Sequence, residues 1–295
     1  MANYLDPKND LTFKRVFGQH KHLCISLINS MIEFENPIVS IEYDTGELIP
    51  ELANVLRNTI VDVRCTDSRG RQFIVEMQMF WSESFKSRVL LNASKAYIMQ
   101  FDKAKDFALS RPVYALNFVN ETFEKAPEME NEYFHHYKIV NIKNTDKQIK
   151  GLEFIFLELP KFKPQNRAER KLHDLWLRFL TDINEETKEA PKELLENEFT
   201  REALEYMQKA AYTKRELAAY DKWKIDIMTE RSAINDARRE GLAEGEAKGF
   251  AKGEAKGKVK EKTQIVINLY KEGSSIDFIA KITNLTQKQV TEIVK

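Results

Sequence analysis

The sequence is poor in cysteine, with only Cys24 and Cys65 among 295 residues. A disulfide framework of the kind that holds small secreted domains together is therefore excluded. No apolar run approaches the roughly 20 residues that a membrane-spanning helix requires. The first residues show neither the basic nor the apolar region of a signal peptide. These absences predict a cytoplasmic protein with two buried thiols and no membrane partner.

The chain also lacks net charge, because 46 lysines and arginines balance 46 aspartates and glutamates. Proteins that bind nucleic acid usually carry a basic surplus, so long-range attraction of a polyanion is predicted to be weak. A nucleic-acid site on this chain would depend on a local basic groove and on bound cations.

Zinc-binding patterns are missing as well. The histidine pairs His20/His22 and His135/His136 have no cysteine or glutamate partners at the spacing of a zinc site. We expect these histidines at the protein surface or at helix ends.

Two strand-like runs joined by a turn are the most informative feature that is present. Residues 60–65 and 72–79 are rich in β-branched and apolar side chains, and a polar turn cluster lies at residues 67–70. This pattern predicts a β-hairpin. If the hairpin is centred on Arg69, its paired residue numbers sum to 138.

Such a register brings three polar side chains together. Asp62 then lies directly across from Glu76, and strand alternation places Gln78 on the same face. Two carboxylates opposed at about 5 Å repel by about 3 kcal/mol at an effective dielectric of about 20, so something must compensate. A divalent cation held by oxygen ligands would do so. Alternatively, the acids lie on a solvated face and are neutralised by Arg64 or Arg71.

Several segments carry a resemblance to a known family. Asp62, a thirteen-residue gap and the triplet Glu76-Met77-Gln78 resemble the Asp…(Asp/Glu)-x-Lys signature of PD-(D/E)XK nucleases. Residues 9–18 (NDLTFKRVFG), a helix with Arg88, Tyr97 and Gln100, and residues 155–160 (IFLELP) resemble the recombination-promoting nuclease (Rpn) and transposase family. The similarity covers roughly residues 4–295.

The resemblance implies a restriction-endonuclease-like α/β fold, with a mixed sheet flanked by helices and a helical C-terminal extension. It implies hydrolysis of DNA phosphodiesters with Mg²⁺, or with Mn²⁺ as a substitute, by direct attack of water on phosphorus. Asp62 and Glu76 match the metal-binding acids, and Arg88 matches a family arginine expected to face the scissile phosphate. Gln78 stands where many relatives carry lysine. An amide can orient water, but it cannot supply a charge or act as a base.

Asp10 has two compatible interpretations. An acidic residue on the first helix often completes the metal shell in this superfamily, so Asp10 is a candidate third acid. Aspartate is also a preferred N-cap residue, and Asp10 directly precedes a helical pattern.

Apolar periodicity predicts the remaining elements. Helices are expected over residues 4–35 and 85–106, from Ala168 onward, and over 199–239. Strands are expected over residues 38–43, 112–119, 133–141 and 152–159, of which 112–119 is a buried central strand.

We predict four segments in the chain. A nuclease-like core spans residues 1–165, and a helical region over 166–238 packs on it or extends it. Residues 239–260 carry five glycines spaced four apart, which suits either a helix or a flexible linker, since each glycine costs about 1 kcal/mol in a helix. Residues 261–295 resemble a small helix-turn-helix module.

The sequence thus predicts a Mg²⁺-dependent DNA endonuclease associated with recombination or transposition. It would form a homodimer, through the glycine-rich helix or the C-terminal module, if it makes double-strand breaks. The alternative is a catalytically weak DNA-binding or assembly protein that uses the nuclease fold as a scaffold. RNA remains an open substrate.

Overall fold

The chain divides into two compact units, Met1–Ile227 and Met228–Lys295. A computed structural model describes residues 4–44, 62–101, 111–164 and 172–295. Residues 60–61 of the predicted hairpin, residues 102–106 of the predicted helix and the helix start predicted at Ala168 lie outside the described residues.

The first unit contains a six-stranded mixed sheet and most of the helices. Its elements are α1 (Asp10–Phe17), α2 (Lys21–Met31), β1 (Ile41–Tyr43), β2 (Val63–Asp67), β3 (Gln72–Gln78), α3 (Glu83–Ile98), β4 (Val113–Val119), β5 (Phe134–Asn141), β6 (Asn144–Glu158), α4 (Leu172–Asp182), α5 (Lys192–Glu196), α6 (Glu198–Met207) and the first part of α7 (Lys214–Lys271), a helix that continues into the second unit.

The strand order is β1-β2-β3-β4-β6-β5. β1, β2 and β3 are antiparallel neighbours, β3, β4 and β6 run parallel, and β5 returns antiparallel to β6. Every residue of β4 is buried, as the continuous apolar run predicts for a central strand covered on both faces. The predicted restriction-endonuclease-like α/β fold is confirmed.

Helices cover both faces of this sheet. On one face, α1, α2, α4 and α6 pack against the inward side chains of β2, β3 and β4. On the other face, α3 packs against alternate residues of β3 and β4 and against β6. The first core includes Phe13, Phe17, Val63, Cys65, Phe73, Val75, Leu116 and Trp176. The second includes Ile74, Phe85, Val89, Ala93, Ala96, Val113, Ala115 and Phe156.

A polar turn fixes the register of the β2–β3 hairpin. The Asp67 carboxylate accepts the backbone N–H groups of Arg69 and Arg71 at 3.0 and 2.9 Å, and it also accepts Arg71 Nε at 2.7 Å. Gly70 has φ of +79°, a conformation that favours glycine. Register in a sheet with buried faces tolerates no slip, so this turn positions every side chain of the hairpin.

The helix predicted over residues 4–35 is in fact two helices. Asn9 begins α1 as its N-cap, since its Oδ1 accepts the Leu11 N–H at 2.8 Å. Gly18 ends α1, and α2 starts at Lys21. The helical block predicted over 199–239 is also interrupted, because residues 208–213 leave the helix after Met207.

His135 is buried, which corrects the expectation of a surface histidine. Its Nε2 lies 2.7 Å from Glu158 Oε1, and Lys161 Nζ lies 2.8 Å from the same oxygen. Glu158 Oε2 also accepts the Phe123 N–H at 2.7 Å. A buried carboxylate needs such partners, and the spacing of these residues in the sequence does not predict them.

The second unit is helical. It holds the later part of α7, followed by α8 (Ile276–Thr283) and α9 (Gln287–Val294), whose core includes Val266, Ile279 and Val290. Ser275 and Thr286 cap α8 and α9. None of the described helices combines the length and apolarity needed to cross a membrane.

The five regularly spaced glycines lie inside α7. No described atom lies within 4 Å of the position that a Cβ would take at any of them. The glycine stripe is therefore open within the described part of the chain, and close helix packing does not offset its cost there. The glycines are Gly241, Gly245, Gly249, Gly253 and Gly257.

Candidate active site

The candidate site lies where β2 begins and β3 ends. The ladder pairs Val63 with Val75 and Arg64 with Ile74, so paired residue numbers sum to 138 as predicted. Continued by one residue, this register sets Asp62 across from Glu76. Asp62 itself lies in a bend before β2, so strand alternation alone does not direct its side chain.

Asp62 faces the first helix. Its Oδ2 accepts the backbone N–H of Met77 at 2.7 Å, one residue after Glu76. Its Oδ1 lies 3.5 Å from Lys14 Nζ, and the same ammonium lies 2.6 Å from Asp10 Oδ1. Helix α1 thus supplies both a second carboxylate and a positive charge to Asp62.

These three groups influence one another's protonation. Burial, and a hydrogen bond that protonated Asp62 donates to the Asp10 carboxylate, raise the pKa of Asp62 to about 8. Partial burial by itself would raise the pKa of Asp10. Its hydrogen bonds with Asp62 and Lys14 outweigh burial, so the pKa of Asp10 is lowered. Burial by itself would lower the pKa of Lys14. The hydrogen bonds and negative charges of Asp10 and Asp62 outweigh burial, so the pKa of Lys14 is raised. The two acids therefore share one proton readily beside a permanent ammonium.

Glu76 faces α3 instead. Its Oε1 accepts Asn92 Nδ2 at 3.3 Å. Burial raises the pKa of Glu76, opposed by the Asn92 hydrogen bond and the charge of Arg88. Asn92 is buried, and its Oδ1 accepts no hydrogen bond from any residue that the structure describes.

Gln78 lies at the open end of β3. Its Oε1 is 3.4 Å from a terminal guanidinium nitrogen of Arg88, which is exposed on α3. The Arg88 guanidinium also lies 5.5 Å from the centre of the Phe85 ring. The helix that follows the hairpin thus brings Arg88 to Gln78.

The N-cap interpretation of Asp10 is wrong, because Asn9 makes the cap and Asp10 is the first helical residue. Its carboxylate is therefore available to Lys14. The two arginines proposed to neutralise the acids also bind elsewhere. Arg71 pairs with Asp67 within the turn, and Arg64 Nε lies 3.3 Å from Asp44.

Two residues of the site escaped prediction. Lys14 follows Asp10 by four residues, a spacing that places both on one side of a helix. Asn92 is a polar residue within the otherwise apolar stripe of Phe85, Val89 and Ala96, which is an unusual position for an amide. Both signals were present in the sequence.

The residues suit a divalent cation. The Asp62 and Glu76 carboxylates are hard oxygen donors, and the buried Asn92, which donates to Glu76, has an Oδ1 without a donor among the described residues. No group of three or more His, Cys, Asp or Glu residues arranged for a metal occurs in the described ranges. Mg²⁺ commonly uses one or two carboxylates and completes its shell with water and substrate phosphate, so Asp62 and Glu76 are sufficient protein acids.

A comparison with protein-family models identifies the family of this chain. The model of the family described as PD-(D/E)XK nuclease family transposase matches residues 7–237. That range contains all the residues of the candidate site and the whole sheet. No curated protein and no solved structure matches the chain.

Proposed function

Since the chain belongs to the PD-(D/E)XK nuclease family of transposases, we propose that it is a Mg²⁺-dependent DNA endonuclease that hydrolyses phosphodiester bonds in recombination or transposition. Family membership supports a nuclease role. The observation that carries the proposal is the hairpin register, which sets Asp62 across from Glu76 inside the range matched by the family.

Asp62 and Glu76 would hold the metal, with Mn²⁺ as a substitute. When bound, a divalent cation activates water and neutralises phosphate charge. Met77 N–H and Asn92 Nδ2 each donate to one of these carboxylates and so fix its orientation. Hydrogen-bonded carboxylates lose little conformational freedom on binding a cation, and this favours a defined site.

Gln78 would orient the attacking water through its amide, because it carries neither a charge nor a basic group. Arg88, exposed beside Gln78, would bind a phosphate oxygen of the DNA strand. Asp10 would act as an accessory acid that shares the proton of Asp62. Water attacks phosphorus as the bond to the leaving oxygen breaks.

A second candidate function follows from Gln78. An amide at the usual lysine position favours a catalytically weak protein that keeps the fold as a DNA-binding or assembly scaffold. The predictions of a homodimer and of four chain segments remain predictions, and RNA remains an alternative substrate.

Cleavage of supercoiled plasmid DNA tests the enzyme against the scaffold. The purified chain is expected to nick or linearise plasmid with Mg²⁺ or Mn²⁺ and not with EDTA. Asp62→Asn and Glu76→Gln keep side-chain size and are each expected to reduce cleavage by about 1000-fold or more, because each removes a metal-binding charge.

The matched control is Glu42→Gln, an exposed acid on β1 whose partner is Lys21. It should cleave like the unaltered chain. Cleavage that persists in both Asp62→Asn and Glu76→Gln would contradict the site. DNA binding without any cleavage by the unaltered chain would favour the scaffold.

A further inference from the structure

The proposed site lacks a cation at the position where one is expected. Gln78 occupies the place of the usual lysine and presents an amide. Hydrolysis of a phosphodiester adds negative charge around phosphorus, and positive groups aimed at that charge are a main source of catalysis. A cation from another element would compensate for Gln78.

Lys14 lies at such a position. Its contact with Asp10 is an ordinary i,i+4 pair within α1, but its contact with Asp62 joins α1 to the catalytic hairpin at 3.5 Å. The Lys14 side chain remains about one third exposed (34%), whereas that of Asp62 is 14% exposed. Lys14 therefore combines a fixed charge beside the proposed metal ligand with access for a substrate.

Arg88 is the other nearby cation, and its geometry differs. Arg88 contacts Gln78 and the Phe85 ring, and its side chain lies on the exposed surface of α3. Of these two cations, only Lys14 makes an ion pair with one of the two proposed metal-binding acids.

We propose that Lys14 replaces the missing lysine of the signature and donates a charged hydrogen bond to a non-bridging oxygen of the scissile phosphate. This inference rests on the proposed nuclease function. Lys14 keeps all its protons during the reaction and acts only through its charge and hydrogen bond.

The same position has a consequence for metal binding. Without substrate, the Lys14 ammonium neutralises Asp10 and Asp62 and so opposes a second cation at these oxygens. Removing the ammonium should therefore weaken catalysis and strengthen metal binding. A residue needed only for folding would not separate the two effects.

The test compares the unaltered chain with Lys14→Met, Lys14→Arg and the double variant Lys14→Met/Gln78→Lys. Plasmid cleavage is measured with Mg²⁺, and Mn²⁺ affinity is measured by calorimetry without DNA. Lys14→Met is expected to cleave about 100-fold more slowly and to bind Mn²⁺ about tenfold more tightly. Gln78→Lys in the double variant is expected to recover at least about tenfold of the lost rate, and Lys14→Arg to retain most of it.

Lys21→Met is the matched control, since it removes an exposed lysine that pairs with Glu42 away from the site. It should leave cleavage and Mn²⁺ affinity unchanged. If Lys14→Met does not fold by circular dichroism, Lys14→Gln, which retains a hydrogen-bond donor, takes its place with the same expectations.

Full cleavage by the uncharged Lys14 variant overturns this inference alone. So does a loss of cleavage that is accompanied by weaker Mn²⁺ binding. If the unaltered chain does not cleave DNA, the proposed function fails first and the inference fails with it.

Discussion

The two paired acids of the hairpin are stabilised in opposite ways. Asp62 faces α1, where the charged groups of Lys14 and Asp10 lie beside it. Glu76 turns towards α3, where its hydrogen bond comes from the neutral amide of Asn92. One register thus produces two environments, because the layers on the two sides of the sheet differ in sequence.

Asp62 and Glu76 thus show two ways in which a fold holds a carboxylate in place before a cation binds. Charge compensation acts through space and weakens as pH or salt changes, whereas an amide hydrogen bond is short-ranged and depends on geometry. The pKa of both acids is raised by burial, so neither environment fully offsets desolvation. Each acid therefore has a pKa suited to exchanging a proton for a cation.

We expect Asp62 to cause the strongest change of protein stability with pH. In metal-free protein, the folded state holds a proton on Asp62 between the ordinary value of 3.8 and about 8, a range where the unfolded state has lost it. The free energy of unfolding should therefore fall as pH rises through this range, by at most about 1.4 kcal/mol per pH unit. The lowered pKa of Asp10 acts only below its ordinary value. Asp62→Asn should flatten the profile.

Urea unfolding with EDTA at several pH values from 5 to 8.5 measures this slope. Glu42→Gln, the exposed acid on β1, should keep the slope of the unaltered chain. If the free energy of unfolding of Asp62→Asn falls with pH as steeply as that of the unaltered chain, the charged groups on α1 do not make Asp62 differ from Glu76.

A smaller effect is expected on the Glu76 side. Asn92→Leu removes the amide donor, so it should destabilise the metal-free chain by about 1–2 kcal/mol when Glu76 is charged. The loss should shrink as pH falls, because burial raises the pKa of Glu76 and protonated Glu76 depends less on the amide. Mg²⁺ should also protect this variant less against unfolding, because the orientation of Glu76 is no longer fixed.

Thr200→Val is the control for that loss. Thr200 is fully buried on α6 and donates to the Leu194 carbonyl oxygen at 2.7 Å, so its replacement also breaks one buried hydrogen bond. It should destabilise the chain equally at pH 5 and pH 8 and leave Mg²⁺ protection unchanged. If Asn92→Leu also lowers the free energy of unfolding equally at both pH values, the Asn92 amide does not stabilise the charged form of Glu76.

Much of this fold could be predicted from local sequence. The β2–β3 hairpin followed from its turn cluster, and β4 followed from its unbroken apolar run, since both signals arise from neighbouring residues. The caps at Ser275 and Thr286 were also predictable, because capping depends on a residue and the next three. The family resemblance supplied the arrangement of these elements.

The rest depends on contacts between distant segments. Lys14 and Asp62 are far apart in sequence, and periodicity carries no information on a contact between them. The expectation of His135 at the surface or at a helix end is wrong because its buried partner Glu158 lies on a neighbouring strand, and local sequence does not show that pairing. The Asp10 cap failed for a local reason, since Asn9 and Asp10 are both good N-caps and only geometry chooses between them.

The smallest effect is expected at Arg88. Its side chain is exposed and its contact with Gln78 is long, at 3.4 Å, so Arg88→Gln should change the free energy of unfolding by no more than about 0.5 kcal/mol at any pH. If Arg88 binds one DNA phosphate, the salt dependence of DNA affinity should decrease by about one unit of slope. Fluorescence anisotropy across a salt series measures that slope. A destabilisation by Arg88→Gln as large as that of Asn92→Leu would mean that charge also holds Glu76 in place, and the two acids would then share one mode of stabilisation.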